Sequence, residues 1–571
     1  MPYRAPVDDI RFILTHVVGF DQLSQTDRFA EATPDTTAQI LTEAGKLCEE
    51  VLSPLQRSGD THPARLENGV VHTSPGFAEG YRAIAEGGWT AISAPPDHGG
   101  MGLPQTLGMA VNEMLSGACL SLQLCPLLTF GAIEALTHHA SADLQALYLP
   151  RLISGEWSGT MNLTEPQAGS DVGALRTTAQ PNGDGTYAIK GQKIYISWGD
   201  GDFLDNVVHL VLARLPDAPA GTKGISLFLV PRNIPDENGA PGARNGVRVV
   251  SLEHKMGLHG SPTAVMEYDG ATGWMIGAPN KGMAAMFTMM NNARLGVGMQ
   301  GIGVAQAALT HALAHARDRV QGKTPVQGGS GAIIDHADVR RMLATMRAEV
   351  FAARAIALSC AVSIDMQAAT GAADWAARAA FLTPIAKAYG TDTGIEVAQT
   401  AMQVQGGMGY IEETGAAQFL RDVRVTAIYE GTNGIQAMDL AGRKLMDGGE
   451  AAWRLLAEVE QTAEQARPLL PDLAERVWDA AESLRETTEW MLTQDMTQRF
   501  AGAVPFLRGW ARVLGGQAHL AAALAEGGTG PRTALARVFV DRLLPEHAAA
   551  LAQARAGADA LYALSDDDFA A

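Results

Sequence analysis

The stretch AIYEGTNGIQ, residues 427–436, sets one carboxylate, Glu430, between the aromatic Tyr429 and a Gly-Thr-Asn-Gly run. The small residues after it let the backbone approach a ligand, which raises the question of what the carboxylate does there. The same residue at a loop-to-helix junction reads as a helix-start charge or a solvated group. A second cluster lies in MNLTEPQAGSDVGALRTTA, residues 161–179, where Thr164 and Ser170 bracket a Pro-Gln-Ala-Gly turn. Its amides, that of Gly169 included, can cradle a phosphate. A side-chain turn without a ligand has the same pattern. Further on, GQKIYISWGD puts Tyr195 and Ser197 two apart, on one face of a strand. An aromatic and a hydroxyl there suit a planar heterocycle, one packing and the other hydrogen-bonding a ring nitrogen; an ordinary cross-strand pair reads alike.

The elements that must hold these residues change character along the chain. Residues 35–154 space their apolar side chains at three and four, as in TTAQILTEAGKLCEEVLSPL, and predict helices. Residues 155–277 turn to short alternating or apolar runs separated by turn chemistry such as PNGDG, which predicts a small antiparallel β domain. Helical periodicity returns over 278–447 and continues through an extension at 448–571, with a short N-terminal segment at 1–34. The expected fold class is α+β: helical domain, central antiparallel β domain, helical bundle, helical extension.

Composition narrows the function. The 571 residues are 47% hydrophobic with a formal net charge of -19, which argues against nucleic acid or an anionic membrane as partner. The longest uncharged run, 114–133, is interrupted by Ser, Gly, Gln and Pro and reads as buried core helices rather than a membrane span. The N-terminus carries acids and lacks a signal-peptide core. Four scattered cysteines have no metal spacing, so no metal site is expected and a reducing cytoplasm is. No strand leads into G-x-G-x-x-G, and there is no P-loop and no G-x-S-x-G elbow.

Four segments in order resemble the acyl-CoA dehydrogenase family: TEPQAGSDV, GQKIYIS, AMQVQGGMGY and RDVRVTAIYEGTNGIQ. The resemblance implies the family's helix–β–helix fold, non-covalently bound FAD, and desaturation of an acyl-CoA thioester. It implies that Thr164 and Ser197 hydrogen-bond the flavin ring, that Tyr195 packs beside it in place of the usual Trp, and that Gly169 and Ser170 hold the pyrophosphate. Arg319 matches the Arg that reaches the FAD of a neighbouring subunit; Gln403, Gly406 and Gly407 match that neighbour's adenine-side contacts. Such sharing implies a homodimer or homotetramer. Thr432 would touch the cofactor, and Gly434 stands where many members have Gln.

Glu430 aligns with the catalytic base that takes the α-proton while the β-hydride goes to flavin N5. A proton α to a thioester is weakly acidic, so it needs a positioned base and a stabilised oxyanion. Burial by the acyl chain is expected to raise the Glu430 pKa. Members that keep the base in a Glu-Arg pair elsewhere have no counterpart here, where that pair is Ala293-Arg294. Tyr429 and Arg294 are the expected substrate contacts, and electron-transfer flavoprotein the expected acceptor.

The extra length resembles the branch of the family that desaturates the short thioether 3-methylmercaptopropionyl-CoA in sulfur-compound catabolism, with medium- or long-chain straight acyl-CoA as the alternative. Residues 114–133 and the Met-rich stretch 286–290 are expected to set pocket depth, although methionine in a helix is more often core. An acyl-CoA oxidase and a DNA-protecting homologue are the rivals. The region from residue 451 onward holds 11 Arg, no Lys and 17 acids, which disfavours the second.

Overall fold

The computed structural model describes residues 3–570. Helices α1 (Val7–His16) and α2 (Gln105–His139) precede the strands β1 (Trp157–Asn162), β2 (Thr178–Pro181), β3 (Tyr187–Ser197), β4 (Asn206–Arg214), β5 (Ile225–Pro231), β6 (Val247–Leu252) and β7 (Thr263–Ile276). Helices α3 (Gly282–Asp318), α4 (Ala337–Thr370), α5 (Ala373–Gln405) and α6 (Asn433–Ala441) follow. The extension contributes α7 (Ala503–Ala525), α8 (Pro531–Arg542) and α9 (Glu546–Arg555). Two compact units result: Glu43–Gly296, and Tyr3–Thr42 with the chain from Val297 onward.

In the first unit the seven strands form one sheet. β7 pairs with β3 and β5, β5 with β4, β4 with β2 and β2 with β3, so the pairing closes into a small barrel. The expected antiparallel domain needs correction at two pairings: β1 runs parallel to β4, with Trp157 opposite Asn206 and Asn162 opposite Val211, and β2 meets β4 in parallel at Thr178 opposite Arg214. The long crossover between β1 and β4, which includes β2 and β3, permits the first of these. Ile189, Ile196, Val211, Phe228, Val230, Ala264 and Met266 fill the barrel interior.

Residues 114–133 lie in α2, where two helices meet at a kink, and they are buried as the sequence predicts. By length and composition α2 is long enough to cross a membrane, yet 89% of its apolar window is buried inside the protein. It is broken at Cys119, whose φ of -156° and ψ of 87° are non-helical. The polar groups near the break find partners: Asn112 Nδ2 donates to Gly296 O at 3.2 Å, and Gln123 donates to Asn112 Oδ1. Met286 and Met289 are fully buried against Ala132, Ile133 and Leu136. The expected Met-rich pocket wall is therefore largely core packing.

In the second unit α1 presents Ile10, Ile13 and Leu14 inward at the three-and-four spacing of an amphipathic helix. Its Phe12 ring lies under the Arg532 guanidinium at 3.7 Å, and Asp9 accepts from Arg532 Nη2 at 2.8 Å. The N-terminal segment is thus tied to the extension. A literal G-x-G-x-x-G string, Gly296–Gly301, sits inside α3 rather than after a strand. A Cβ at Gly298 would meet Ala386 O at 2.7 Å, and one at Gly301 would meet Gly390 O at 2.3 Å. Those glycines serve the close crossing of α3 on α5, not a nucleotide. At the centre of the extension Trp510 on α7 is fully buried, with its ring 4.8 Å from that of Phe381.

Candidate active site

Each unit carries its own set of site residues. In the barrel unit the chain leaves β1 and turns tightly: Glu165 N donates to Ala168 O at 3.0 Å and Ala168 N donates back at 2.9 Å. Gly169 and Ser170 project from this turn into solvent, and a Cβ on Gly169 would meet nothing within 4 Å. The Glu165 carboxylate holds the turn from inside. It accepts from Lys193 Nζ at 2.8 Å, Thr177 Oγ1 at 2.6 Å, Thr177 N at 3.0 Å and Arg176 N at 2.7 Å. Burial opposes its ionisation, but the Lys193 ammonium and these donors outweigh that and hold the carboxyl down at about 2. Burial lowers Lys193 to about 8 despite the carboxylate beside it.

Thr164 lies next to β3, because Ile194 N donates to Thr164 O at 2.9 Å. That bond sets Thr164 against the strand that carries Tyr195 and Ser197. The strand alternation expected for those two is interrupted at Tyr195 itself. Ile194 and Tyr195 together oppose the single Val265, a bulge with Tyr195 at φ 60°. Tyr195 and half-buried Ser197 still flank core-facing Ile196, and Tyr195 is 62% exposed. Just beyond, buried Trp198 donates its Nε1–H to Ser121 O at 3.0 Å and fixes the strand end on α2. Arg294 is buried on α3, and its neighbour Ala293, the alternative base position, is buried too.

In the bundle unit Glu430 occupies the junction before α6, with φ of 54°, followed by Gly431 at φ 83°. Both are in the left-handed region, where a non-glycine residue is uncommon. Glu430 and Tyr429 are half-buried. The Tyr429 hydroxyl donates to Gln300 Oε1, and burial together with the Glu430 charge pushes its pKa up. Thr432 caps α6, accepting from Ile435 N at 3.3 Å. The loop carbonyls are held from outside it. Fully buried Lys387 donates to Gly431 O at 2.9 Å and to Asn433 Oδ1 at 2.8 Å, and Gln436 Nε2 donates to Glu430 O at 3.2 Å. Lys387, Asn433, Gln436 and Gln300 were not foreseen from the sequence. The one available signal was a lysine at a core-facing position of the apolar helix TPIAKAYG.

Arg319 follows α3 directly; its carbonyl accepts from Ile333 N at 2.7 Å and its guanidinium, exposed, donates to Gln321 Oε1 at 3.2 Å. Gln403, Gly406 and Gly407 at the end of α5 are exposed as well. Gly406 has φ 59° and ψ -138°, a conformation that disfavours side chains. Beneath them Gln405 Nε2 meets His311 Nδ1 at 3.1 Å, and burial lowers His311 to about 4. Exposed Met408, Tyr410 (83%) and Ile411 continue the same surface.

Sequence families agree with this architecture. Residues 34–156, 160–271 and 280–445 match the N-terminal, middle and C-terminal domains of acyl-CoA dehydrogenase, and 455–565 match a family described as acetyl-CoA dehydrogenase C-terminal like. The chain belongs to the acyl-CoA dehydrogenase family. The dehydrogenase is 44% identical to 3-methylmercaptopropionyl-CoA dehydrogenase of Ruegeria pomeroyi, over 96% of this chain and 97% of that one. It is 32% identical to the broad-specificity linear acyl-CoA dehydrogenase FadE5 of Mycobacterium tuberculosis, over 95% and 96%. Among solved structures it is similar to the acyl-CoA dehydrogenase of Bacillus anthracis complexed with FAD. That likeness has a TM-score of 0.74 and 19% identity, covering 98% of this chain and 92% of that one. FAD is the family's cofactor, and the donor set fits it: solvent-facing amides and a hydroxyl at Gly169–Ser170 for phosphate, and an open aromatic face at Tyr195 for a flat ring.

Proposed function

We propose that the dehydrogenase desaturates 3-methylmercaptopropionyl-CoA, with Glu430 as the base that removes the α-proton. The observation that carries the substrate is the 44% identity over nearly the whole of both chains, extension included, to the Ruegeria enzyme of that name. FAD, when bound, supplies the acceptor for the β-hydride. Thr164, Ser197 and Tyr195 would hold its ring, Gly169 and Ser170 its pyrophosphate, and Thr432 a further contact. Arg319, Gln403, Gly406 and Gly407 would serve the FAD of a second copy. Their exposure, and the exposed apolar Met408, Tyr410 and Ile411 beside them, support that sharing.

The chain's part in the chemistry is to hold and move one proton. Glu430 is fixed by its left-handed backbone and by the bond on its own carbonyl, so its carboxylate meets Cα with little reorganisation. Tyr429 and Arg294 would border the acyl thioester. Because Ala293 has no carboxylate, the proton has no second acceptor at the position other members use. Electron-transfer flavoprotein is the proposed oxidant that restores the enzyme, in the cytoplasm, where four free buried cysteines stay reduced.

Straight-chain acyl-CoA is the second reading, supported by the FadE5 resemblance. A substrate panel with an artificial electron acceptor separates the two. A kcat/KM for the thioether at least tenfold above butyryl-, octanoyl- and palmitoyl-CoA is expected, and a preference for a straight chain would overturn the assignment.

A further inference from the structure

A buried lysine outside the reacting groups bonds the loop that carries Glu430. Lys387 lies on α5, fully buried, with its ammonium 2.9 Å from Gly431 O and 2.8 Å from Asn433 Oδ1. An ammonium taken out of water is costly unless its donors are used, so this placement is retained against a penalty. Asn433 is itself held from α5: its Nδ2 donates to Asp392 Oδ1 at 2.7 Å and to Thr391 Oγ1 at 3.0 Å. Thus α5 grips the residues on the C-terminal side of Glu430 through a side chain and a backbone carbonyl.

The loop needs such a grip. Glu430 and Gly431 are consecutive left-handed residues, at φ 54° and 83°. A non-glycine residue there is disfavoured and persists where its surroundings enforce it. Relaxation of Glu430 to φ below zero would swing the Gly431 carbonyl away and re-aim the carboxylate. The Lys387 bond opposes that rotation at the carbonyl, and Gln436 opposes it one residue earlier at Glu430 O, 3.2 Å away. A Cβ on Gly431 would lie 2.8 Å from Gln436 Nε2, so the loop is also closely packed where it turns.

We propose that Lys387 is a positioning residue for proton abstraction: by bonding Gly431 O and Asn433 it holds the Glu430 carboxylate at its working angle. The inference rests on Glu430 being the base. A misplacement on the order of 1 Å at a reacting group costs ~10²-fold in rate, so Lys387→Met is expected to lower kcat by about 10–100-fold. FAD content and KM should change less than about threefold, because the bonds of Lys387 to Gly431 O and Asn433 Oδ1 act on the loop that carries the base.

The test is a double-mutant cycle with Glu430→Gln, read as the rate of flavin bleaching in anaerobic single turnovers, with substrate carrying hydrogen or deuterium at Cα. If Lys387 acts through Glu430, Lys387→Met slows the parent strongly and raises the Cα isotope effect, but slows the Glu430→Gln enzyme less than about threefold. Equal losses in both backgrounds, or a Lys387→Met enzyme within twofold of the parent, would overturn the positioning role. A Glu430→Gln enzyme as fast as the parent would instead overturn the choice of base, whatever Lys387→Met does. Should Lys387→Met fail to fold, Asn433→Ala removes one acceptor of the lysine and enters the same cycle with the same expectations.

Discussion

Lys193 and Glu165 form an ion pair 2.8 Å long beneath the turn that carries Gly169 and Ser170, with both side chains almost wholly buried. The lysine comes from β3 and also donates to Leu163 O at 2.9 Å, so it fastens both sides of Thr164. Glu165→Gln keeps the shape of the acceptor but removes its charge and leaves a buried ammonium without a counter-ion. Breaking such a pair from one side costs roughly 3–5 kcal/mol. The variant should melt several degrees lower and lose FAD on gel filtration. Unchanged melting and unchanged flavin content would show that the pair does not hold the turn.

His209 makes the barrel sensitive to acid. It is fully buried on β4, its Nδ1 is 2.7 Å from Thr160 Oγ1, and burial lowers its pKa to about 3 from an ordinary 6.5. Between those values the unfolded chain binds a proton that the folded chain refuses. Stability is therefore full above about pH 6.5 and falls as the pH drops toward 3. The slope is at most about 1.4 kcal/mol per pH unit for one such group. His209→Gln removes the titration, so its melting temperature should fall less than the parent's between pH 7 and pH 5. Parallel falls would assign the sensitivity to other groups, such as His519, which burial lowers to about 4.

Turns and loop-to-helix junctions were legible, because Gly, Pro, Ser and Thr cluster where the chain reverses or starts a helix. The turn at Gly169 and the junction at Glu430–Gly431 appear where TEPQAGSDV and YEGTN place them. Three features were not legible. A bulge is one extra residue opposite a partner strand, so the strand KIYIS gives no sign that Tyr195 is the bulged one. Lys387 is a single charge in an apolar helix, and its purpose depends on Gly431 and Asn433 more than forty residues away. The parallel pairing of β1 with β4 depends on the crossover between them, which local periodicity does not encode.

Arg319 tests the sharing of cofactor between copies. Its guanidinium is exposed, with Gln321 Oε1 at 3.2 Å as a weak local partner. A charge-assisted bond to phosphate contributes about 1.5–3 kcal/mol. Arg319→Ala should retain its fold, yet release FAD when diluted below the concentration at which copies associate. Flavin occupancy measured by absorbance against protein concentration checks this. An occupancy curve that overlays the parent's would remove Arg319 from the cofactor site.

The extension is joined to the bundle by a buried charge cluster centred on Arg512 of α7. Its Nη1 donates to both oxygens of Glu349 on α4, at 2.7 and 2.8 Å, and lies 3.2 Å from the Tyr389 hydroxyl on α5. Its Nη2 reaches Glu546 at the start of α9, at 2.7 Å. Glu546 is partly exposed and tolerates the loss of its partner; Glu349, 5% exposed, does not. Arg512→Met leaves that carboxylate buried and uncompensated, at a cost of about 3–5 kcal/mol. Adding Glu349→Leu removes the stranded charge, so the double variant should be more stable than Arg512→Met alone, although Tyr389 loses an acceptor. Urea unfolding monitored by tryptophan fluorescence suits the comparison, since Trp510 sits on the same helix. If the double variant is no more stable than the single one, the cost of Arg512→Met lies in lost packing of the arginine stem, and the charge cluster is not what fastens the extension.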